Sequence, residues 1–310
     1  MRTLTFGEGM AETGPCVATI GFFDGVHRGH RHLIREVTER AHNAGMESAV
    51  VTFDRHPRQV VAPDFVPKML STMEEKLTLL AMTGVDHCIV LPFDCDMASM
   101  SARDFMQKIL ALRLNVKVLY TGYDHRFGHN RSEGFSDYVA YGQEMGMEVL
   151  RGKPLTINGV NVSSSVVRSL IEAGEVDYAM HCLGYHYALV GHVVKGEHIG
   201  TGMGFPTANV VADDESKLLP ANGAYAVKVR VAGCDDEFGG MLNIGMRPTF
   251  EGKQKTIEAH IFDFSADIYG KQLSLSFYRK IRDEKKFKSP AELIRQLEDD
   301  SRKAMEILNE

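Results

Sequence analysis

The sequence predicts a mixed α/β chain in two parts. Residues 1–182 read as a parallel-sheet domain, and residues 183–310 as an antiparallel sheet or barrel with a terminal helix. Three observations predict this. Short β-rich runs alternate with helical patterns through the first half, the mark of a parallel sheet covered on both faces. After Leu183 the texture changes to successive strands without long helices between them. The 310 residues, 44% hydrophobic and 25% charged, are enough for two cores and ordinary for globular protein.

Val17 to Ile20 reads as a strand, followed by a turn rich in Gly and His. Leu33, Ile34, Val37 and Ala41 then mark one side of a helix. Ser48 to Phe53 is a second strand. Ser71-Thr72-Met73-Glu74 fits a capping box ahead of Leu77 and Leu80. His87 to Leu91 returns to strand, and Ser101 to Leu112 reads as a helix with Phe105, Ile109 and Leu112 on one face. Val116 to Tyr120 and Glu148 to Leu150 complete the sheet. Ligands of such sheets gather at the carboxyl ends of the strands. Ser163 to Gly174 reads as cap, short helix and stop, and a further short helix runs to Cys182.

The barrel strands are expected over Val190–Val194, Tyr225–Val231, Gly239–Ile244, Thr256–Phe264 and Gln272–Tyr278. Tyr269-Gly270-Lys271 is a turn before the last of them. Ser289-Pro290-Ala291-Glu292 opens a terminal helix, with Ser as cap and Pro in the first turn. Its Leu293, Ile294, Leu297, Met305 and Leu308 are expected to pack on the barrel.

Lys and Arg total 35 against 41 Asp and Glu, a formal charge of -6. A general basic surface for nucleic acid is therefore not expected, although a local anion site is compatible with it. The five cysteines are scattered, odd in number and without a Cys-x-x-Cys pair, which suits a reducing compartment. The first residues lack a signal-peptide core, and charge or His interrupts every apolar stretch before spanning length. The expectation is a cytoplasmic protein with small-molecule partners and no membrane or nucleic-acid partner.

The run Gly21 to His30 lies between a strand and a helix. Its glycines allow a tight turn close to a ligand, and the helix start offers backbone N–H groups to phosphate. His27 and His30 would add hydrogen bonds to a triphosphate. A glycine-rich turn with solvent-facing histidines is the plain alternative. No cysteine or carboxylate cluster completes a zinc set. The run is neither the phosphate loop ending in Gly-Lys-Ser/Thr nor the dinucleotide Gly-x-Gly-x-x-Gly pattern.

Gly21-Phe22-Phe23-Asp24-Gly25-Val26-His27-Arg28-Gly29-His30 resembles the nucleotidyltransferase signature of the prokaryotic bifunctional FAD synthetases, also called riboflavin kinase/FMN adenylyltransferases. The resemblance extends over nearly the whole chain. It implies an N-terminal nucleotidyltransferase-like domain that moves AMP from ATP to FMN. His27 and His30 would contact the ATP phosphates, and Asp24 would shape the nucleotide and metal environment, with Gly21, Phe22 and Gly29 beside them. Thr52 to Pro57 resembles a flavin-side loop of the family and places Asp54 and His56 there. Gly122-Tyr123-Asp124-His125-Arg126-Phe127-Gly128 resembles its Gly-x-Asp-Phe-x-Phe-Gly loop, putting Asp124, Arg126 and Phe127 near flavin or phosphate. His125 stands where the family often has Phe. Read without the resemblance, these aromatics are core residues and Arg126 is solvated.

Ser163 to Arg168 combines hydroxyls, a helix start and a cationic fork, which suits phosphate as well as it suits an ordinary capped helix. The resemblance makes it the second ATP motif, with Ser163 and Ser164 at phosphate and Arg168 stabilising the departing pyrophosphate.

In the second half, Gly191 to Gly196 continues out of the strand expected over Val190–Val194, and Gly204-Phe205-Pro206-Thr207-Ala208-Asn209 reads on its own as a Gly-rich connection with a Pro turn. The latter resembles the riboflavin kinase motif. The resemblance implies that Thr207 and Asn209 hold Mg²⁺ or phosphate near ATP, with Gly196, Gly204 and Pro206 in the surrounding flap. It also implies a six-stranded antiparallel barrel. Alternation puts Glu258 and His260 on one strand face, and Glu258 is the expected base for the ribityl hydroxyl. A charged residue on a wet strand face is the alternative. Asn243 to Phe250 is expected as a loop with Arg247 beside flavin or phosphate. Ile281 to Phe287 resembles a flavin-side segment in which Arg282 meets ribityl or phosphate oxygens.

Two departures stand out. Leu183-Gly184-Tyr185-His186-Tyr187 replaces the family's Leu-Gly-Arg-Pro-Phe/Tyr, and Thr201 replaces a common Arg. The expected activities are phosphorylation of riboflavin to FMN and adenylylation of FMN to FAD. ATP is the cosubstrate and Mg²⁺ the metal. The rival readings are an enzyme with only one activity and a non-catalytic flavin- or nucleotide-binding protein.

Overall fold

A computed structural model describes residues 1–7, 13–62, 64–195, 204–249 and 252–310, with backbone alone for 247–249 and 252–254. The chain divides into two compact units, Met1–Ser164 and Ser165–Glu310.

The first unit begins with β1 (Arg2–Thr5) and β2 (Cys16–Ile20). A one-turn 3-10 segment then leads into α1 (Arg28–Asn43). β3 (Glu47–Phe53), α2 (Pro57–Val61), α3 (Met73–Ala81), β4 (His87–Leu91), α4 (Cys95–Ser99) and α5 (Ala102–Phe105) follow. After β5 (Val116–Thr121) come α6 (Phe135–Met145), β6 (Glu148–Arg151) and a small hairpin of β7 (Thr156–Ile157) and β8 (Val160–Asn161). The main sheet has the order β1-β4-β3-β2-β5-β6, and every pair in it is parallel.

The central strands are buried on both faces. Ala18, Ile20, Ala49, Val51 and Phe53 pack into one cluster with Met106, Leu110 and Leu119. Val50 faces the opposite side with Ile34, and Val17 meets Val37 and Ala41 of α1 there. From β2 the chain first builds β3 and β4 on one side, then returns to build β5 and β6 on the other. The switch point therefore lies between β2 and β5, where open parallel sheets take their ligands. The runs Gly21–His30 and Gly122–Gly128 leave the carboxyl ends of those two strands.

The second unit starts one residue into α7 (Ser164–Ala173) and continues with α8 (Val176–Leu183). β9 (Ala188–Val194), β10 (Ala208–Ala212), β11 (Gly223–Val231), β12 (Glu237–Thr249), β13 (Gly252–Ile261) and β14 (Gln272–Arg282) precede α9 (Pro290–Leu308). The six strands close into a barrel of order β10-β13-β12-β11-β14-β9, antiparallel throughout. Leu189, Val193, Val227, Leu242, Ile257 and Leu275 point inward and are buried.

Several local expectations are corrected. The capping box on α3 joins Thr72 to Glu75 rather than Ser71 to Glu74. The helix expected to end at Leu112 changes at Met106 to a π-helical run through Ala111. The wider turn breaks the 3.6-residue spacing. Leu112 is consequently 73% exposed, while Leu110 and Leu114 take the buried positions. Asn243 to Thr249 is strand, not loop, because β13 pairs with it as far as Thr249. Ala208 and Asn209, read as the end of a turn connection, open the strand β10. Met305 is 45% exposed, and Ala304 packs in its place.

α9 docks through Leu297, Ala304 and Leu308 and through one buried ion pair. Asp300 is 1% exposed and takes Arg282 at 2.7 Å, with Nε at 2.8 Å from the same oxygen. Removing one partner of such a pair strands the other charge, which typically costs about 3–5 kcal/mol. Asp300→Ala should accordingly lower the barrel's melting temperature by roughly 10 °C. An unchanged melting temperature would show that this pair does not hold the helix.

Candidate active sites

The turn after β2 is held in an unusual backbone state. Phe23 (φ 55°), Gly25 (φ 73°) and Val26 (φ 34°) all lie at positive φ, and for a β-branched Val this is a strained conformation. Such strain persists only where surroundings enforce it. Asp24 supplies the main restraint. Its buried carboxylate accepts the N–H groups of Leu70 and Ser71 at 3.0 Å, and Ser71 Oγ accepts from Gly25 N–H at 2.9 Å. The structure thus gives Asp24 a bracing role in the loop.

His27 caps α1, its Nδ1 accepting the backbone N–H of His30 at 3.2 Å. That bond assigns the ring proton to Nε2, so the imidazole presents an N–H donor. The His27 and His30 rings stack with centroids 3.6 Å apart, and Phe23 meets His30 edge-on at 5.1 Å. Gly29 leaves little room: a Cβ there would lie 3.0 Å from Val162 O and 3.1 Å from the His27 ring, so those neighbours would have to shift. Ser164 Oγ donates to Asp24 O at 3.1 Å, bringing the Ser163–Ser164 segment onto the same turn. Two stacked imidazoles, a helix start and a hydroxyl segment bring together donors of a kind suited to phosphate. Arg168 lies one helical turn beyond Ser164 on α7, within the second unit.

Beside this turn, a cavity opens at the carboxyl ends of the strands. Ile20, Phe53, Phe93, Met97, Met100, Phe105 and Phe127 give it apolar walls, while His125, Arg126 and Arg131 give it a polar side. Phe127 is fixed by stacking on Tyr138 at 4.2 Å, and Tyr138 Oη accepts its N–H at 3.0 Å. His125 Nδ1 is sealed from solvent and has no hydrogen-bond partner among the described residues. Burial, helped by Arg131, pushes its pKa down to about 4. Asp124 and Arg126 are exposed. Phe93, Met97, Met100 and Arg131 were not singled out from sequence; scattered single apolar residues carry no period to mark them.

Asp54 and His56 stand on the adjoining loop. Asp54 accepts Phe93 N–H at 2.9 Å. Burial alone would raise its carboxyl, but hydrogen bonds from Arg55 and Phe93 outweigh it and hold the pKa below the ordinary value. His56 caps α2 through Nδ1, and its ring meets Phe22 at 5.0 Å. Phe22 thus lies between the turn after β2 and the loop that carries Asp54 and His56.

In the barrel, strand register aligns the proposed kinase residues. Glu258 pairs with Asn209 on one side and Asn243 on the other, so the three side chains share a face. Their neighbours Val210, Ile257, Ala259, Leu242 and Ile244 point into the buried core. Thr207 precedes Asn209 by two residues. His260 Nδ1 donates to Pro206 O at 2.7 Å, and Phe205 packs edge-on against His260 at 5.3 Å. The strand bearing Glu258 therefore also pins the segment leading to Thr207. Glu284 accepts Asn222 Nδ2 at 3.0 Å and Met246 N–H at 3.2 Å beside this row.

Arg282 is closed on Asp300 rather than open to solvent. Gly196, Thr201 and the Arg247 side chain lie outside the described residues. The Tyr185-His186-Tyr187 departure is absorbed by packing: His186 stacks on Tyr278 at 3.7 Å, and Tyr187 is fully buried with its hydroxyl on Leu218 O at 2.6 Å.

The donor chemistry fits a hard cation. Thr207 and Asn209 offer neutral oxygens and Glu258 a carboxylate. Among the described residues no three His, Cys, Asp or Glu side chains gather into a cage. A small oxygen set of this kind suits Mg²⁺ that takes its remaining ligands from nucleotide phosphates and water.

The FAD synthetase family model matches residues 10–166, and the riboflavin kinase model matches residues 183–308. The bifunctional riboflavin kinase/FMN adenylyltransferase of Escherichia coli (strain K12) is 36% identical over 291 residues, covering 94% of this chain and 92% of its own. The protein of the same name from Bacillus subtilis (strain 168) is 34% identical over 298 residues, covering 95% and 93%. A solved Streptococcus pneumoniae structure, described as a macrolide-efflux protein, is similar with a TM-score of 0.87 and 29% identity, covering 96% of this chain and 97% of that one. No described helix here is long and apolar enough to cross a membrane.

Proposed function

The chain belongs to the bifunctional riboflavin kinase/FMN adenylyltransferase family, and from that premise we propose which residues carry its two reactions. The protein phosphorylates riboflavin to FMN and adenylylates FMN to FAD, with ATP as cosubstrate in both. We propose a boundary between the activities at 182/183; the start of the riboflavin kinase match at residue 183 supports it, while the compact units divide earlier, after Ser164.

For adenylyl transfer, a phosphate oxygen of FMN attacks the α-phosphorus of ATP. The bond to the β-phosphate oxygen breaks, and pyrophosphate leaves with its electron pair. His27, His30, Gly29 and the start of α1 hold the triphosphate, and their fixed donors favour the charge that grows on its oxygens. Ser163 and Ser164 extend that cradle, and Arg168 is assigned to pyrophosphate. The isoalloxazine ring occupies the cavity of Phe53, Phe93, Met97 and Phe127, with Asp54, His56, Asp124 and Arg126 at its polar margin. Gly21, Phe22 and Asp24 shape the turn.

For the kinase step, Glu258 removes the proton of the ribityl 5′-hydroxyl, whose oxygen then attacks the γ-phosphorus while ADP leaves. Thr207 and Asn209 would hold Mg²⁺, which supplies charge neutralisation at phosphate. Gly196, Gly204 and Pro206 belong to the nucleotide flap. Arg247 is assigned to the flavin side, and Arg282 acts there through the segment it anchors.

The Asn209–Glu258–Asn243 row carries this reading. The register sets Glu258 one strand away from Asn209 and from Asn243, which supports pairing the base with the magnesium residues. The test incubates the full chain with riboflavin, ATP and Mg²⁺ and separates the flavins chromatographically. FMN should appear first and FAD after it. EDTA should stop both conversions and added Mg²⁺ should restore them; turnover persisting in EDTA would remove Mg²⁺ from the assignment.

A further inference from the structure

Lys76 is a charged side chain only 2% exposed on the buried face of α3. Such burial is rare for Lys unless the ammonium is well partnered. Its Nζ donates to Phe53 O at 3.1 Å, and to Phe22 O and Thr52 Oγ1 at 3.3 Å each. These use all three ammonium donors. Nζ also lies 4.2 Å from the centre of the Phe22 ring. The titratable groups that act on it are Asp24 from the turn after β2, Asp54 beyond β3 and Cys88 of β4.

The acceptors belong to two segments. Phe22 opens the strained turn that carries His27 and His30, and Phe53 immediately precedes Asp54 and His56. Just ahead of the same helix, Leu70 and Ser71 hold Asp24. The stretch Leu70–Lys76 thus grips the turn at Phe22, Asp24 and Gly25, and ties it to the strand end that bears the flavin-side loop.

We propose that the Lys76 ammonium is a positioning residue for adenylyl transfer, latching the phosphate-binding turn to the flavin-side loop without touching substrate. This rests on the assignment of His27 and His30 to ATP. A neutral amine offers two donors and a lone pair to the same three oxygens, so one bond is lost and a repulsion is introduced.

Burial pulls the Lys76 pKa down to about 8 from 10.5, with Asp24 opposing. The unfolded chain would keep the proton until about 10.5, so between these values it binds more protons than the folded protein. This group's contribution to folding stability therefore rises with pH through that window. Loss of the latch lowers FAD formation over the same window. Declining activity from this group accompanies a gain in its stability contribution, the opposite of loss by unfolding.

The test follows initial FAD formation from FMN and ATP by the full chain between about pH 7 and about pH 9.5. FMN formation from riboflavin serves as internal control. With one controlling proton near 8, the FAD/FMN rate ratio should fall by about tenfold or more across that range. Lys76→Met should lower kcat for FAD formation at neutral pH, leave KM values near those of the parent, and flatten the ratio against pH. Lys76→Arg, which keeps its charge throughout the range, should retain part of the rate and also lose the alkaline fall. A fall that persists in either variant, or a flat parent ratio, overturns the latch. If a melting curve shows that the first unit of Lys76→Met does not fold, the parent ratio and Lys76→Arg decide. A parent protein that makes no FAD at any pH would instead sink the underlying site assignment.

Discussion

Replacing His30 with alanine is expected to cut FAD formation from FMN and ATP by about 10²–10³, while FMN formation from riboflavin stays within about twofold of the parent. The local bonding makes this substitution a clean one. The cap of α1 runs from the His30 backbone N–H to His27 Nδ1, so alanine keeps it. Alanine is also a good helix former in the first turn. What disappears is the imidazole stacked on His27 at 3.6 Å and on the edge of Phe23 at 5.1 Å. Loss of one fixed donor to a phosphate that gains charge in the transition state accounts for the expected size. The barrel, a separate compact unit, supplies the control. Chromatography of the two flavin products, with a melting curve beside it, makes the measurement. FAD formation kept within about twofold, or equal loss of both activities in a folded protein, would remove His30 from the adenylyl site.

The alternation of strand and helix was legible because it follows from burial. Leu33, Ile34, Val37 and Ala41 recur at helical spacing, and all four are buried. What hid from the sequence was decided by competition between neighbours. Ser71 and Thr72 are both good caps, but Ser71 is engaged by Asp24 and Gly25, which leaves Thr72 to cap α3. Asn243 to Thr249 has the Gly and Pro of a loop, yet a long partner strand draws it into the barrel. Lys76 breaks the apolar face of its helix, and no spacing in the sequence points to Phe22, Thr52 and Phe53 as its partners. The motif histidines were legible as a pair. Their mutual stacking and the tautomer of His27 required coordinates, as did the cavity walls at Phe93, Met97 and Met100, which lie far in sequence from Phe127.

Glu258→Gln should lower FMN formation by about 10²–10⁴, the range for removing a positioned general base. The amide keeps the size of the carboxylate and can still hydrogen-bond, but it cannot take the ribityl proton. Its strand neighbours Asn209 and Asn243 are set by main-chain register, so they stay in place when the side chain changes. The loss should therefore fall on kcat, with KM for riboflavin little altered. FAD formation from supplied FMN should remain within about twofold of the parent, because it needs neither Glu258 nor the barrel's magnesium residues. Offered riboflavin instead, the variant should accumulate neither product, since the first step starves the second. Adding FMN to that same reaction should restore FAD and distinguish a missing base from a damaged fold. Full kinase activity in Glu258→Gln would show that the hydroxyl loses its proton elsewhere, and the polar row across β10, β13 and β12 would then be left as the wet face of a barrel.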